Sequence, residues 1–94
     1  MEAVRKERRA LYKDKQPGSF WIGSPDPSGS RYFWYICPCG CSMVQVMEIG
    51  ENFKPVDQPS WKWNGDFEKP TMHPSINHKG HWHGWLKDGV WTGV

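Results

Sequence analysis

The chain has little of what usually braces a small protein. Its three cysteines all lie within Cys37-Pro38-Cys39-Gly40-Cys41, so no cysteine elsewhere can act as a disulfide partner. A bridge between cysteines two apart closes a strained ring, because a disulfide needs a defined Cα spacing and side-chain direction. A disulfide framework is therefore excluded. Aliphatic bulk is also scarce, with two leucines and four isoleucines in 94 residues. No run approaches the roughly 20 apolar residues of a membrane-spanning helix, so a membrane is not expected as a partner. The opening MEAVRKERRALYKDK is basic and polar, without the apolar stretch of a secretory signal. The expected setting is cytoplasmic and reducing, where clustered thiols favour metal or chemistry over disulfides. A strong excess of one charge is missing too: the formal net charge is +2. That balance, with no recognised motif, argues against nucleic acid even though basic residues crowd the first fifteen positions.

What the chain does have is aromatic rings: seven Trp, three Tyr and four Phe. Each buries a large area, so a few rings can stand in for an aliphatic core. A single domain of this size still gains from a staple such as a metal. The expected fold is mainly β, a small twisted sheet or sandwich with a short N-terminal helix, held by a metal. Residues 1–18 read as a basic helix or arm and 19–94 as a small β domain with a CPCGC turn. Ser19 to Gly23 reads as a short strand. Arg31 to Ile36 (RYFWYI) is apolar on both faces, so it reads as a central strand, with Ser42 to Ile49 as its partner. The cysteines then sit at the tip of the connecting hairpin. Asp88-Gly89 marks a two-residue turn in a terminal hairpin. Between them, residues 65–81 carry Pro70 and Pro74 and read as an irregular, functional stretch.

Clustered thiolates with later histidines suit a metal, most often zinc; the plainer alternative is three free thiols packed in a turn. His81 and His83 lie two apart on the expected strand, which suits two ligands of one ion, or one ligand beside one catalytic base. His78 reads as a ligand or a solvated loop residue, and His73 is restricted by the proline after it. Ser75, in Pro74-Ser75-Ile76, is a turn residue unless a base lies within reach. His83 could supply that base if the terminal hairpin packs on the PSI segment, with Asp57, Asp66 or Glu68 open as an orienting carboxylate.

The blocks FWYICPCGC, WNGDFEKPTMHPSI and WHGWLKDGVW, in this order over residues 31–94, resemble a family of small bacterial and phage proteins. Its described branch is BubE, a component of bacterial ubiquitin-like conjugation operons. The resemblance implies a serine protease acting on peptide bonds of a ubiquitin-like protein or its conjugates. By position it implies Ser75 as nucleophile and His83 as base. It implies a structural zinc on Cys37, Cys39 and Cys41, with His81 as fourth ligand in place of a thiolate. His73 stands where relatives often carry a small hydroxyl residue. The competing reading is a zinc-stabilised, tryptophan-rich interaction module without catalysis.

Overall fold

In the computed structural model, which describes residues 1–93, the N-terminus begins as a strand. β1 (Val4–Arg5) pairs in parallel with β2 (Ser19–Ile22), and the helix α1 is confined to Arg8–Asp14 between them. Of the helix or arm expected over residues 1–18, only Arg8–Asp14 is helical. Its only buried residue is Leu11, so a seven-residue helix of this kind depends on docking rather than on its own hydrogen bonds. Arg8 adds a second anchor, its guanidinium 5.4 Å from the centroid of the Trp34 ring. Upstream of β1, Trp91 N–H donates to the Met1 carbonyl at 2.8 Å and Ala3 N–H donates to the Gly89 carbonyl at 2.8 Å.

The remaining strands are β3 (Ser30–Ile36), β4 (Val44–Glu51), β5 (Ser60–Trp63), β6 (Met72–His73), β7 (Ile76–His78), β8 (Trp82–Lys87) and β9 (Val90–Gly93). They form a six-stranded sheet in the order β1-β2-β3-β4-β5-β6 and a three-stranded sheet in the order β7-β8-β9. The mainly β expectation therefore holds. β3 is central, antiparallel to both β2 and β4; Phe33 and Tyr35 on its inner face are buried, while Tyr32 on its outer face stays exposed. One face of each sheet is turned to the other. Phe20, Ile22, Phe33, Tyr35, Met47, Ile49, Trp63 and Met72 meet Ile76, Leu86 and Trp91 in a single core. Trp91 is its hub: it lies 5.1 Å from Tyr35 and 5.5 Å from Trp82, ring centre to ring centre, and its indole N–H donates to the Gly18 carbonyl at 2.9 Å. Burying such rings is worth on the order of 2–3 kcal/mol each, so the aromatics supply what the missing leucines do not.

The sheets are tied at two places. Residues 1–5 run from β9 to β2, bridging Glu2 to Val90 before joining Val4 to Ser19. At the other edge Pro74 and Ser75 alone connect β6 to β7. The 65–81 stretch thus contains two short strands, and Ser75 sits at the corner where the chain passes between sheets.

Gly84 occupies the tightest point of the small sheet. A Cβ there would run into the Thr92 carbonyl and come within 2.8 Å of Gly93 Cα and of the Trp82 ring. Backbone cannot yield as a side-chain tip can, so Gly84→Ala is expected to destabilise the fold by about 2–3 kcal/mol. Gly40→Ala meets nothing within 4 Å and is strained only by its φ of +91°, so the smaller loss there is about 1–2 kcal/mol. Urea denaturation of the two variants checks that order.

Candidate active site and metal centre

The pairing of β7 with β8 decides where each functional side chain points. Asn77 is opposite His83, Ile76 opposite Gly84 and His78 opposite Trp82. Side chains alternate along a strand, so Asn77 and His83 share the outer face and Ile76, His78, Trp82 and Leu86 the inner one. The burial pattern agrees: His83 and Trp85 are exposed, while Gly84 and Leu86 are buried. Ser75, one step before β7, falls diagonally across from His83 on the outer face. Its Oγ lies 3.3 Å from His83 Nε2.

Two aromatic residues hold this pair in place. The Trp61 indole N–H, reaching from β5, donates to the Ser75 carbonyl at 3.1 Å. The Trp85 ring lies roughly parallel to the His83 imidazole, with centroids 6.3 Å apart and 29° between planes. The three carboxylates considered as an orienting partner are placed otherwise. Asp66 accepts the backbone N–H groups of Glu68 and Lys69 at 2.8 and 2.9 Å, which holds its carboxyl below the usual range. Glu68 pairs with Arg5 at 2.7 Å. Asp57 lies in the β4–β5 loop, and among the described residues no carboxylate hydrogen-bonds to His83.

The cysteines lie at the β3–β4 turn, as expected, and the β7–β8 turn comes to meet them. His78 Nδ1 is 3.1 Å from Cys37 Sγ, Cys37 Sγ is 3.2 Å from Cys39 Sγ, and His81 Nδ1 is 4.0 Å from Cys39 Sγ. Two groups of three donors emerge, Cys37–Cys41–His78 and Cys39–Cys41–His81, each with all donor atoms within 4.8 Å of one another. Donors on a tetrahedral ion with bonds of 2.0–2.3 Å sit roughly 3.3–3.8 Å apart, so small side-chain shifts would bring these donors to a metal and the cluster is a candidate metal-binding site. Cys41 belongs to both groups.

The electrostatics are those of thiols sharing a proton. Burial pushes Cys37 up to about 12, while the hydrogen bond from Cys37 holds Cys39 down to about 7. His78 is lowered by burial and then by the neighbouring His81, whose ring is stacked on it at 4.4 Å. That favours neutral imidazole, the form that binds a metal.

His81 and His83, expected side by side on one strand, are separated because β8 begins only at Trp82. His81 stays in the turn with the cysteines, its N–H donating to the His78 carbonyl at 2.9 Å, and His83 goes to Ser75. The fifth donor is His78, which the sequence reads equally as a ligand or a solvated loop residue. Its signal is the spacing to His81, which puts both rings within one turn. Trp61 gave no signal beyond the alternation of Trp61 and Trp63. His73 joins neither group; it lies on β6 opposite Lys62.

Protein purified without chelators is expected to carry about one metal ion per chain, the stoichiometry of a closed structural site. Cys41→Ser, which removes a donor common to both groups, should cost more occupancy than Cys39→Ser or His81→Ala. Metal analysis of the three variants checks the ranking, and full occupancy in Cys41→Ser would contradict it.

A family model described as bacterial ubiquitination-like system serine protease (BubE) matches residues 5–94. No curated protein and no solved structure matches the chain. The match takes in all three sequence blocks and extends through the N-terminal helix to Arg5, covering both residues of the Ser75–His83 pair and every donor of the cysteine–histidine cluster. The chain belongs to the BubE family of bacterial ubiquitination-like system serine proteases.

Proposed function

We propose that the protein hydrolyses peptide bonds, with Ser75 as nucleophile and His83 as general base, and that its substrate is a ubiquitin-like protein or a conjugate of one. The observation that carries this reading is the 3.3 Å approach of Ser75 Oγ to His83 Nε2 on an exposed face. It lies within a chain of a serine-protease family. With the imidazole proton on Nδ1, the Ser75 hydroxyl donates to Nε2, which is the geometry proton removal requires. Ser75 Oγ then forms a bond to the acyl carbon while its proton passes to Nε2. The C–N bond breaks as His83 returns that proton to the departing amine. Water attacks the resulting ester by the same route, its proton going to Nε2 and then to Ser75 Oγ, which releases the acid. The Trp61 bond to the Ser75 carbonyl and the Trp85 ring beside His83 do part of the orienting that a carboxylate does in a triad.

We assign zinc to the cysteine–histidine cluster. Thiolate and imidazole donors gathered this closely suit it, and three thiolates mark a closed structural site. Its place supports that role: His78 points to the inner face of β7 and His83 to the outer face of β8. An ion held there would join the β3–β4 turn to the β7–β8 turn without touching the reacting atoms. Among the described residues no helix is long and apolar enough to cross a membrane. Free thiols in this arrangement suit a reducing compartment, and we place the protein in the bacterial cytoplasm.

A fluorophosphonate probe is expected to label Ser75 and to fail with Ser75→Ala. Labelling of His83→Gln should be slower by roughly a hundredfold or more, the usual contribution of a positioned base. Trp61→Phe keeps the ring but loses the N–H, and should slow labelling without unfolding the chain. Intact mass spectrometry with time reads all three; a folded native chain that stays unlabelled would remove the nucleophile from this reading.

A further inference from the structure

Two residues before Ser75 lies a pocket that the Ser75–His83 pair does not use. It is an open surface depression of about 220 Å³, lined by Asn52, Lys62, Trp63, Asn64, Thr71 and His73. At about 30 Å³ per water this is room for roughly seven waters, or for one amino-acid side chain.

Half of the lining is already committed. The Asn64 side-chain oxygen accepts the N–H groups of Asp66 and Thr71 at 3.2 and 3.0 Å. Thr71 Oγ1 accepts the Asp88 N–H at 2.8 Å, and the Trp63 indole donates to the Asp66 carbonyl at 3.1 Å. The Lys62 ammonium, the His73 imidazole and the Asn52 amide have no side-chain hydrogen bond or ion pair among the described residues. Lys62 and His73 are direct partners across β5 and β6. Side chains so placed stand about 5 Å apart, close enough for one anion to meet both. No carboxylate lines the pocket. An ammonium, an imidazole and an amide converge on a side-chain-sized space that lacks a counter-ion.

The position completes the argument. Only Pro74 separates His73 from Ser75, so their Cα atoms are at most about 7 Å apart, the span of two residues. A peptide whose reacting carbonyl sits at Ser75 therefore brings a neighbouring group to this pocket. We propose that the pocket is the substrate subsite beside the scissile bond and that it takes a carboxylate, held by Lys62 and His73. As a subsite it rests on the reading of Ser75 as nucleophile. The carboxylate comes from an aspartate or glutamate side chain or from a free C-terminus.

The test separates binding from catalysis. The Ser75→Ala chain is titrated by NMR with three short peptides: a blocked glycine peptide containing one aspartate, its asparagine counterpart, and triglycine with a free carboxylate. The aspartate peptide is expected to bind about tenfold more tightly than the asparagine one, a difference of about 1.4 kcal/mol. The largest shifts should fall on Lys62, His73 and Asn52. Triglycine binding as tightly as the aspartate peptide assigns the seat to a terminal carboxylate; weaker binding assigns it to the side chain. The preference should vanish in a Lys62→Gln, His73→Gln double variant whose spectrum shows it folded. Equal affinity for acid and amide, or a preference that survives in that variant, overturns the proposal. Labelling of the native chain by fluorophosphonate reads the nucleophile separately, so a carboxylate preference in an unlabelled chain would uphold the seat and refute the role of Ser75.

Discussion

The register of β7 against β8 is the constraint on which the rest of the molecule turns. With Asn77 opposite His83, two opposite demands are met at once. His83 faces out beside Ser75, and His78 faces in beside Cys37. A slip of one residue would put His78 opposite His83 on the same face, because the side-chain period of a strand is two. Only one of the two histidines could then keep its partner. β7 is only three residues long, so its own ladder is a weak guarantee of register. The guarantee comes from its ends. The turn after it closes through the His81 N–H on the His78 carbonyl, and the residue before it is held by the Trp61 indole. Gly84 adds a third restraint, since no other residue lets Thr92 approach so closely.

The same economy explains how a chain with so few leucines builds a two-layer fold. The larger sheet could bury its inner face only against the small one, and Trp91 is where they meet. The first residues then bind the outer edge of β9 before entering the large sheet beside β2. Closure by the chain's own terminus at one edge, and by the two-residue corner at Pro74-Ser75 at the other, leaves little freedom between the layers. The cysteine–histidine cluster acts at a third point, where the β3–β4 and β7–β8 turns come together. Three ties around one aromatic core are what let a 94-residue chain hold a half-buried serine and an exposed histidine in register without a rim of helices.

Much of this was legible where a local rule had no competitor. RYFWYI reads as a central strand because both faces need cover, and β3 has neighbours on both sides. Asp88-Gly89 reads as a two-residue turn, and both residues take the positive φ that such a turn requires. The confinement of the cysteines to five residues points to a cluster before any fold is known. The pairing of Ser75 with His83 was different. Composition and spacing gave a serine after a proline and several histidines, and only resemblance to a family chose among them. Sequence alternation also erred at His81, because it assumes that the strand begins before that residue, while tertiary packing starts β8 at Trp82. The N-terminal strand was hidden for a similar reason. Val4-Arg5 has no β signal of its own and becomes a strand only because the edge of β2 is beside it. The contacts of Trp61 with Ser75 and of Lys62 with His73 join residues 14 and 11 apart across a corner, where neither the helical nor the strand period applies.

The register also separates the cysteine–histidine cluster from the Ser75–His83 pair within one small hairpin. A thiolate cluster beside a serine–histidine pair would be a hazard, since sulfur is the better nucleophile and imidazole the better ligand. Here one strand pair keeps them apart. The cluster takes the inner face and the turn; the Ser75–His83 pair takes the outer face. His81, two residues from His83 in sequence, is kept from the serine by a turn that stacks it on His78. The consequence is directional. Anything that loosens the cluster acts on Ser75 only through the position of β7 and β8, so it should alter how often the pair is assembled and leave its chemistry unchanged once formed. The corner at Pro74 works the other way. It passes directly from the His73–Lys62 pocket to Ser75 without crossing the core.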